Sequence, residues 1–206
     1  MVQTCRQQKE LDWLADVLIA LACTGLRISE LASLRWSDID FANNSISLTD
    51  ESTRTRGRPR EKARQTKSGR NRSFPIHSNL RCILEGLPRS PDGLVFHGPR
   101  QGRLKPDTVR RILIRDVLTP LTDRFAMPGS EIGFASGRLH SFRHYFGSRC
   151  ANSGVAEQVV MAWLGHADSK MVHHYYHLHD DEAQRQMKRL QFLGESGGGV
   201  AAEVDS

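Results

Sequence analysis

Between residues 54 and 72 the chain carries nine cations, Arg54, Arg56, Arg58, Arg60, Lys62, Arg64, Lys67, Arg70 and Arg72, against Glu61 alone. That run has a net charge of +8 in a protein whose total is +6, so the rest of the chain is about −2. SISL at 45–48 and NRSFPI at 71–76, on either side, have the alternation and β-branched or aromatic content of short strands. Gly57, Pro59 and Gly69 punctuate what lies between. The pattern predicts a small antiparallel sheet carrying a long, positively charged loop, so the core has to come from the segments outside it.

Those segments read as helices. Leu11, Leu14, Leu18 and Leu21 recur at intervals of three and four, an amphipathic stripe that predicts a helix over about 8–23, broken at Thr24 and Gly25. A short helix is expected over Ile28 to Leu34, with Trp36 to Asp40 as its exit, and further helices at about 78–86, 106–121, 140–153, 155–164 and 180–193. The expected class is mainly α with a small antiparallel β-sheet. One domain over 1–194 is followed by a tail, 195–206, with too little apolar content to fold.

A chain of 206 residues, 38% hydrophobic and 25% charged, suits a single substantial core. No stretch approaches the roughly 18 to 20 apolar residues of a membrane span, and the amino terminus lacks an apolar signal-peptide core, so an intracellular, cytoplasmic protein is expected. Cys5, Cys23, Cys82 and Cys150 lie far apart without a CxxC spacing and read as free thiols. The run HHYYHLH at 173–179 has no accompanying acidic or cysteine pattern and is not read as a metal site.

Set in a balanced protein, the basic run is an electrostatic footprint for a polyanion, because each cation placed against a phosphate releases condensed counterions. Arg56-Gly57-Arg58-Pro59 also matches the core of an AT-hook, whose arginines enter the narrow minor groove of A·T-rich DNA. General phosphate attraction is the simpler account of the same residues.

Other polar residues are unremarkable one at a time. Arg27 and Glu30 fit a helical i,i+3 surface ion pair. His140 and Arg143, also i,i+3, share one helical face. Gly165-His166 ends an apolar run as a helix C-cap would, and Tyr175 fits a core aromatic.

Together, and in this order, they resemble the catalytic domain of the tyrosine recombinase (phage integrase) family, from about Leu11 to Leu178. TGLRISELASLRWSDID resembles the segment around the family's first catalytic arginine, mapping it to Arg27. TKSGRNRSFPI resembles the hairpin with the catalytic lysine, mapping it to Lys67. LHSFRHYFGSRC resembles the H-x-x-R box, giving His140 and Arg143, and WLGH supplies His166. The Y-x-H-L pattern selects Tyr175 as nucleophile, with Tyr176 in the variable position.

The resemblance implies DNA strand transfer through a 3′-phosphotyrosyl intermediate, with no ATP, metal or other cofactor. Phosphoryl transfer asks for positioning and charge compensation, which the guanidinium groups of Arg27 and Arg143 suit. A phenol of pKa near 10 is only about 0.1% ionised at neutral pH, so cationic neighbours and a base, His140 or His166, would help. Lys67 is the expected general acid for the departing 5′ oxygen.

Double-stranded DNA is the expected partner, met by the loop cations Arg54, Arg56, Arg58, Arg60, Lys62, Arg64, Arg70 and Arg72. Family members act as homo-oligomers, tetramers on DNA. Here Glu182 to Leu193, with Met187, Leu190 and Leu193 on one stripe, is the candidate oligomerisation element, with packing on its own core as the alternative. The family's amino-terminal core-binding domain has no counterpart in this sequence, as expected of an excised fragment. A type IB topoisomerase-like relaxation activity and a catalytically inactive DNA-binding module are the alternative functions. A metal-dependent nuclease lacks the carboxylates it would need.

Overall fold

The computed structural model describes residues 1–51, 71–125 and 133–165. It is mostly helical with one three-stranded sheet. Helix α1 (Val2–Arg6) and a 3-10 turn (Lys9–Leu11) lead into α2 (Asp12–Thr24). Helix α2 is the centre of the fold, in contact with α1, α4 (Ser78–Gly86) and α7 (Ser141–Asn152).

The expected stripe Leu11, Leu14, Leu18 and Leu21 is buried, and Ala15, Val17 and Ala20 are buried with it, so α2 is enclosed on more than one side. Each fully buried leucine contributes roughly 1.5 to 3 kcal/mol from removal of its surface from water. The expected single helix over 8–23 is divided because Leu11 closes a tighter turn, its N–H donating to Gln8 O at 2.8 Å. Helix α1 was not foreseen. It is too short for periodicity to reveal and is held by the buried Cys5 and by an ion pair from Arg6 to Asp16.

Gly25 ends α2 at φ 63°, its N–H donating to Leu21 O at 2.9 Å, and Thr24 Oγ1 donates to Ala20 O at 2.6 Å. A left-handed residue here needs glycine for space as well as for φ. A Cβ would come within 2.6 Å of Leu164 Cδ2 and 2.7 Å of Phe146 Cδ1. Helix α3 (Ile28–Leu31) follows after a three-residue step and is shorter than the expected Ile28 to Leu34.

The antiparallel sheet runs in the order β1 (Ile39–Asp40), β2 (Ser45–Leu48), β3 (Arg72–Pro75). Ile39 pairs with Ile46, Ile46 with Phe74, and Leu48 with Arg72. Alternation turns Ile46, Leu48, Phe74 and therefore Arg72 towards the core. Beyond the last pair, Asp50 N–H donates to Asn71 Oδ1 at 2.8 Å, fastening the two ends from which the basic segment departs.

The expected helix at 106–121 is present in three parts, α5 (Pro106–Ile112), a π-helical stretch (Leu113–Leu118) and α6 (Thr119–Leu121). Pro120 explains the change of pitch. It has no N–H to give to the carbonyl four residues back, and Thr119 instead donates to Ile114 O through both its N–H and, at 2.8 Å, its Oγ1.

Helix α8 (Glu157–Leu164) sits against α7 and β3, with Cys150, Val160 and Leu164 forming a small apolar cluster. Among the described residues no helix is long and apolar enough to cross a membrane, and no group of metal-ligating side chains is found.

Candidate active site

Arg27 is the residue immediately before α3, in extended conformation, and its side chain is 22% exposed. Glu30, three residues on, folds back over the start of the helix. Its Oε2 accepts from Arg27 N–H at 2.9 Å, and its Oε1 accepts from Arg27 Nη1 at 3.3 Å. The carboxylate thus satisfies a helix N-terminal donor and holds the arginine side chain as well.

The same Oε2 accepts from Arg72 Nη2 at 2.8 Å. Glu30 and Arg72 side chains are each 3% exposed. The Arg27–Glu30 pair is therefore not the surface ion pair that spacing suggests, because its carboxylate is buried between two guanidinium groups. Burial would push the Glu30 carboxyl up. The Arg72 charge, then the Arg27 N–H, the Arg72 hydrogen bond and the Arg27 charge outweigh it and hold the group below its ordinary value.

Arg143, in the first turn of α7, is 2% exposed. Its Nη1 donates to Gly25 O at 2.7 Å and its Nη2 to Leu164 O at 2.6 Å. These carbonyls lie at the C-terminal ends of α2 and α8, where unpaired carbonyls concentrate negative potential. Two separate turns are thereby drawn to one guanidinium. Arg27 lies two residues beyond the first carbonyl, and His166 two residues beyond the second.

His140 caps the start of α7 and is exposed, with its ring edge-on to that of His144, centroids 4.9 Å apart. His144 is a neighbour outside the residues expected from the motifs, and its i,i+4 spacing from His140 is the signal that points to it.

Lys67, His166 and Tyr175 lie outside the described residues, as do Arg54, Arg56, Arg58, Arg60, Lys62, Arg64, Arg70 and the segment 182–193. Arg72 stands apart from the other cations of its run. The β3 register turns it inward to 8% relative exposure and Glu30 takes its charge, so it is a buried ion-pair residue rather than an exposed loop cation.

A second set of exposed cations, Arg100, Arg103, Lys105, Arg110, Arg111 and Arg115, surrounds α5, beside clefts of about 300 and 510 Å³. They are interleaved with buried Leu104, Val109 and Leu113, which hid them from a search for a charge run.

The chain is similar to several known proteins. Tyrosine recombinase XerC of Bifidobacterium longum (strain DJO10A) is 27% identical over 168 residues, covering 80% of this chain and 43% of the relative. Tyrosine recombinase XerC of Pseudomonas fluorescens (strain Pf-5) is 30% identical over 154 residues, covering 75% of this chain and 44% of the relative. The chain thus spans less than half the length of these two relatives.

Among solved structures, the Tn1549 transposon integrase in complex with a circular intermediate DNA aligns with a TM-score of 0.64 at 21% identity, over 92% of this chain and 62% of that one. The catalytic domain of bacteriophage HP1 integrase aligns with a TM-score of 0.53 at 19% identity, over 91% and 87%. Both show the same mainly helical fold with a small sheet. The model of the phage integrase family matches residues 1–182, which includes the whole segment in which the arginines, histidines and tyrosine occur in order, and the chain belongs to that family.

Proposed function

We propose that this chain is the catalytic domain of a site-specific DNA recombinase that cuts and rejoins strands through Tyr175. The observation that carries the reading is the convergence on Arg143 of the turns next to Arg27 and His166, in a chain of the phage integrase family. A guanidinium held by two carbonyls is already oriented before DNA arrives, and pre-organised charge is the main demand of phosphoryl transfer.

In the proposed step the Tyr175 phenol oxygen forms a bond to the scissile phosphorus and the P–O5′ bond breaks. The phenol proton passes to His140 or His166, and Lys67 gives a proton to the departing 5′ oxygen. Arg27 and Arg143 compensate charge on the non-bridging oxygens throughout. In the reverse direction a 5′-hydroxyl attacks the 3′-phosphotyrosyl phosphorus and restores the phenol. The bond energy is conserved in the adduct, so the scheme draws on neither ATP nor a metal ion, and chelation should leave it intact.

The partner is duplex DNA, held by the cations of residues 54–70 and, on this reading, by the exposed cations around α5. A tetramer on DNA, joined through 182–193, and work in the nucleoid within the cytoplasm complete the proposal. The Tn1549 integrase is similar in fold and its solved structure is a DNA complex, which supports the choice of partner.

Covalent trapping tests it. The chain and its Tyr175→Phe and Tyr176→Phe variants are incubated with nicked and supercoiled duplex, quenched in denaturant and assayed for a protease-sensitive adduct. An adduct lost only in Tyr175→Phe is expected. Loss only in Tyr176→Phe would move the nucleophile by one residue, and relaxation of one duplex without strand exchange would favour topoisomerase chemistry.

A further inference from the structure

Arg72 is costly where it stands. Its side chain is 3% exposed, and one of its nitrogens, Nη2, bonds Glu30 at 2.8 Å. Nε and Nη1 are buried with no hydrogen-bond partner among the described residues. A buried ion pair is often no more stable than apolar residues of the same volume, and a partly satisfied one is worse. Leu48 opposite and Phe74 two residues on show what the position takes when only core packing is wanted. Stability alone is a weak reason for an arginine here.

Its contacts supply a geometric one. Glu30 Oε2 is shared between Arg72 Nη2 and Arg27 N–H, and Glu30 Oε1 meets Arg27 Nη1 at 3.3 Å, the longest of the three bonds. The carboxylate is thus held by Arg72 Nη2 together with Arg27 N–H, and it is the group that the Arg27 guanidinium meets. The Arg72 guanidinium also packs on the turn that ends α8. A Cβ at Gly165 would come within 2.7 Å of Nη1, 3.1 Å of Cδ and 3.2 Å of Cζ. Gly165 directly precedes His166, and β3, which Arg72 opens, follows Lys67 by a few residues.

We infer that Arg72 is a positioning residue of the active site, which orients Arg27 through Glu30 and ties the strand after Lys67 to the turn before His166. The inference rests on the reading of Arg27 as a phosphate-clamping residue. It is a role for a cation that sequence pattern assigns to DNA contact. Removing its charge should disturb a neighbour's geometry and leave DNA affinity nearly unchanged.

The test compares the chain with its Arg72→Met, Arg72→Lys and Arg27→Lys variants by ¹⁵N–¹H spectra of the arginine side chains, with Arg27→Lys providing the assignment. In Arg72→Met the Arg27 guanidinium signals should shift and broaden while the backbone amide spectrum stays dispersed. Arg72→Lys, which keeps charge but loses the planar fork, should fall between. It also decides the matter if Arg72→Met does not fold. Arg27 signals that are unchanged in the folded variants overturn the inference.

Adduct formation supplies the second arm. Arg72→Met should slow it roughly 10- to 100-fold with the DNA Kd within about twofold, and should add less than about twofold in an Arg27→Ala background. Additive losses, or a loss confined to DNA affinity, would also overturn it. If the parent chain forms no adduct, the functional reading fails, and the side-chain spectra still decide whether Arg72 positions Arg27.

Discussion

Arg143 Nη1 donates to the carbonyl oxygen of Gly25 at 2.7 Å, joining residues 118 positions apart in the sequence. The bond ties the first turn of α7 to the end of α2. The guanidinium also bonds Leu164 O, so one side chain closes three helices around the proposed site. Arg143→Ala should therefore destabilise the fold as well as abolish adduct formation. Two buried carbonyls lose a charged donor, and the cost expected from urea unfolding is about 2 to 4 kcal/mol.

Gly25→Ala is expected to fail for reasons of space and backbone together. Its Cβ would overlap Leu164 and Phe146 at a φ of 63°. The loss should be about 2 to 5 kcal/mol, since a left-handed alanine costs roughly 1 to 2 and an overpacked contact roughly 1 to 3. Urea unfolding of Gly25→Ala beside Gly86→Ala, which meets nothing within 4 Å, separates this site from a general glycine effect.

Acid should weaken the fold in part through Glu30. Its carboxyl is held below the ordinary value of 4.5, so it binds protons more readily in the unfolded chain than in the folded one. The stability this contributes is complete above about pH 4.5 and is lost as pH falls through the folded-state value. Unfolding free energies measured from pH 7 downward should converge for the parent and Glu30→Gln in that acid range. Parallel curves would show that the carboxylate is not the linked group.

Thiol labelling should follow burial. Cys82 is exposed and should react first, whereas Cys5 and Cys150 are buried. Burial pushes the Cys150 thiol up to about 11, leaving little thiolate at neutral pH. Because Cys150 packs with Val160 and Leu164, its labelling rate under mild denaturant reports undocking of α8. Mass spectrometry of time points distinguishes the four sites.

Arg56→Ala with Arg58→Ala should weaken binding to A·T-rich duplex more than to G·C-rich duplex, if the arginines use the narrow minor groove. Each lost phosphate contact also lowers the dependence of log K on log salt by about 0.9. Equal losses on both duplexes, with the lower salt slope, would leave only the electrostatic attraction.

The helices were legible because their apolar residues recur with helical spacing, as in Leu14, Leu18 and Leu21, and the strands because Ile46, Leu48 and Phe74 alternate. Arg27, His140 and Arg143 are proposed as site residues from the order of short motifs. The role of Glu30 was not legible. Three-residue spacing from Arg27 describes a surface pair equally well, and only Arg72, arriving from 42 residues away, makes it a buried one. Arg72 was misread for a related reason, since charge runs are seen along the chain whereas the inward turn of a strand's first residue is seen only with its register. The pitch change in the helix at 106–121 follows from Pro120, which helical spacing of apolar residues does not register.

The hydrogen bond from Asp50 N–H to Asn71 Oδ1 gives the chain a fixed doorway for everything between residues 51 and 71. Lys67 stands four residues inside it, so its Cα can lie no farther than roughly 14 Å from that of Asn71, however the rest is arranged. The stretch on the other side, from 52 to 66, does not enter that bound. Lengthening or shortening it leaves the four-residue span from Lys67 to Asn71 as it is. The tether of Lys67 is unaffected. If Lys67 is the proton donor and the basic arm grips DNA, as proposed above, the arm on the amino-terminal side of Lys67 can be exchanged as a cassette without changing the span from Lys67 to Asn71.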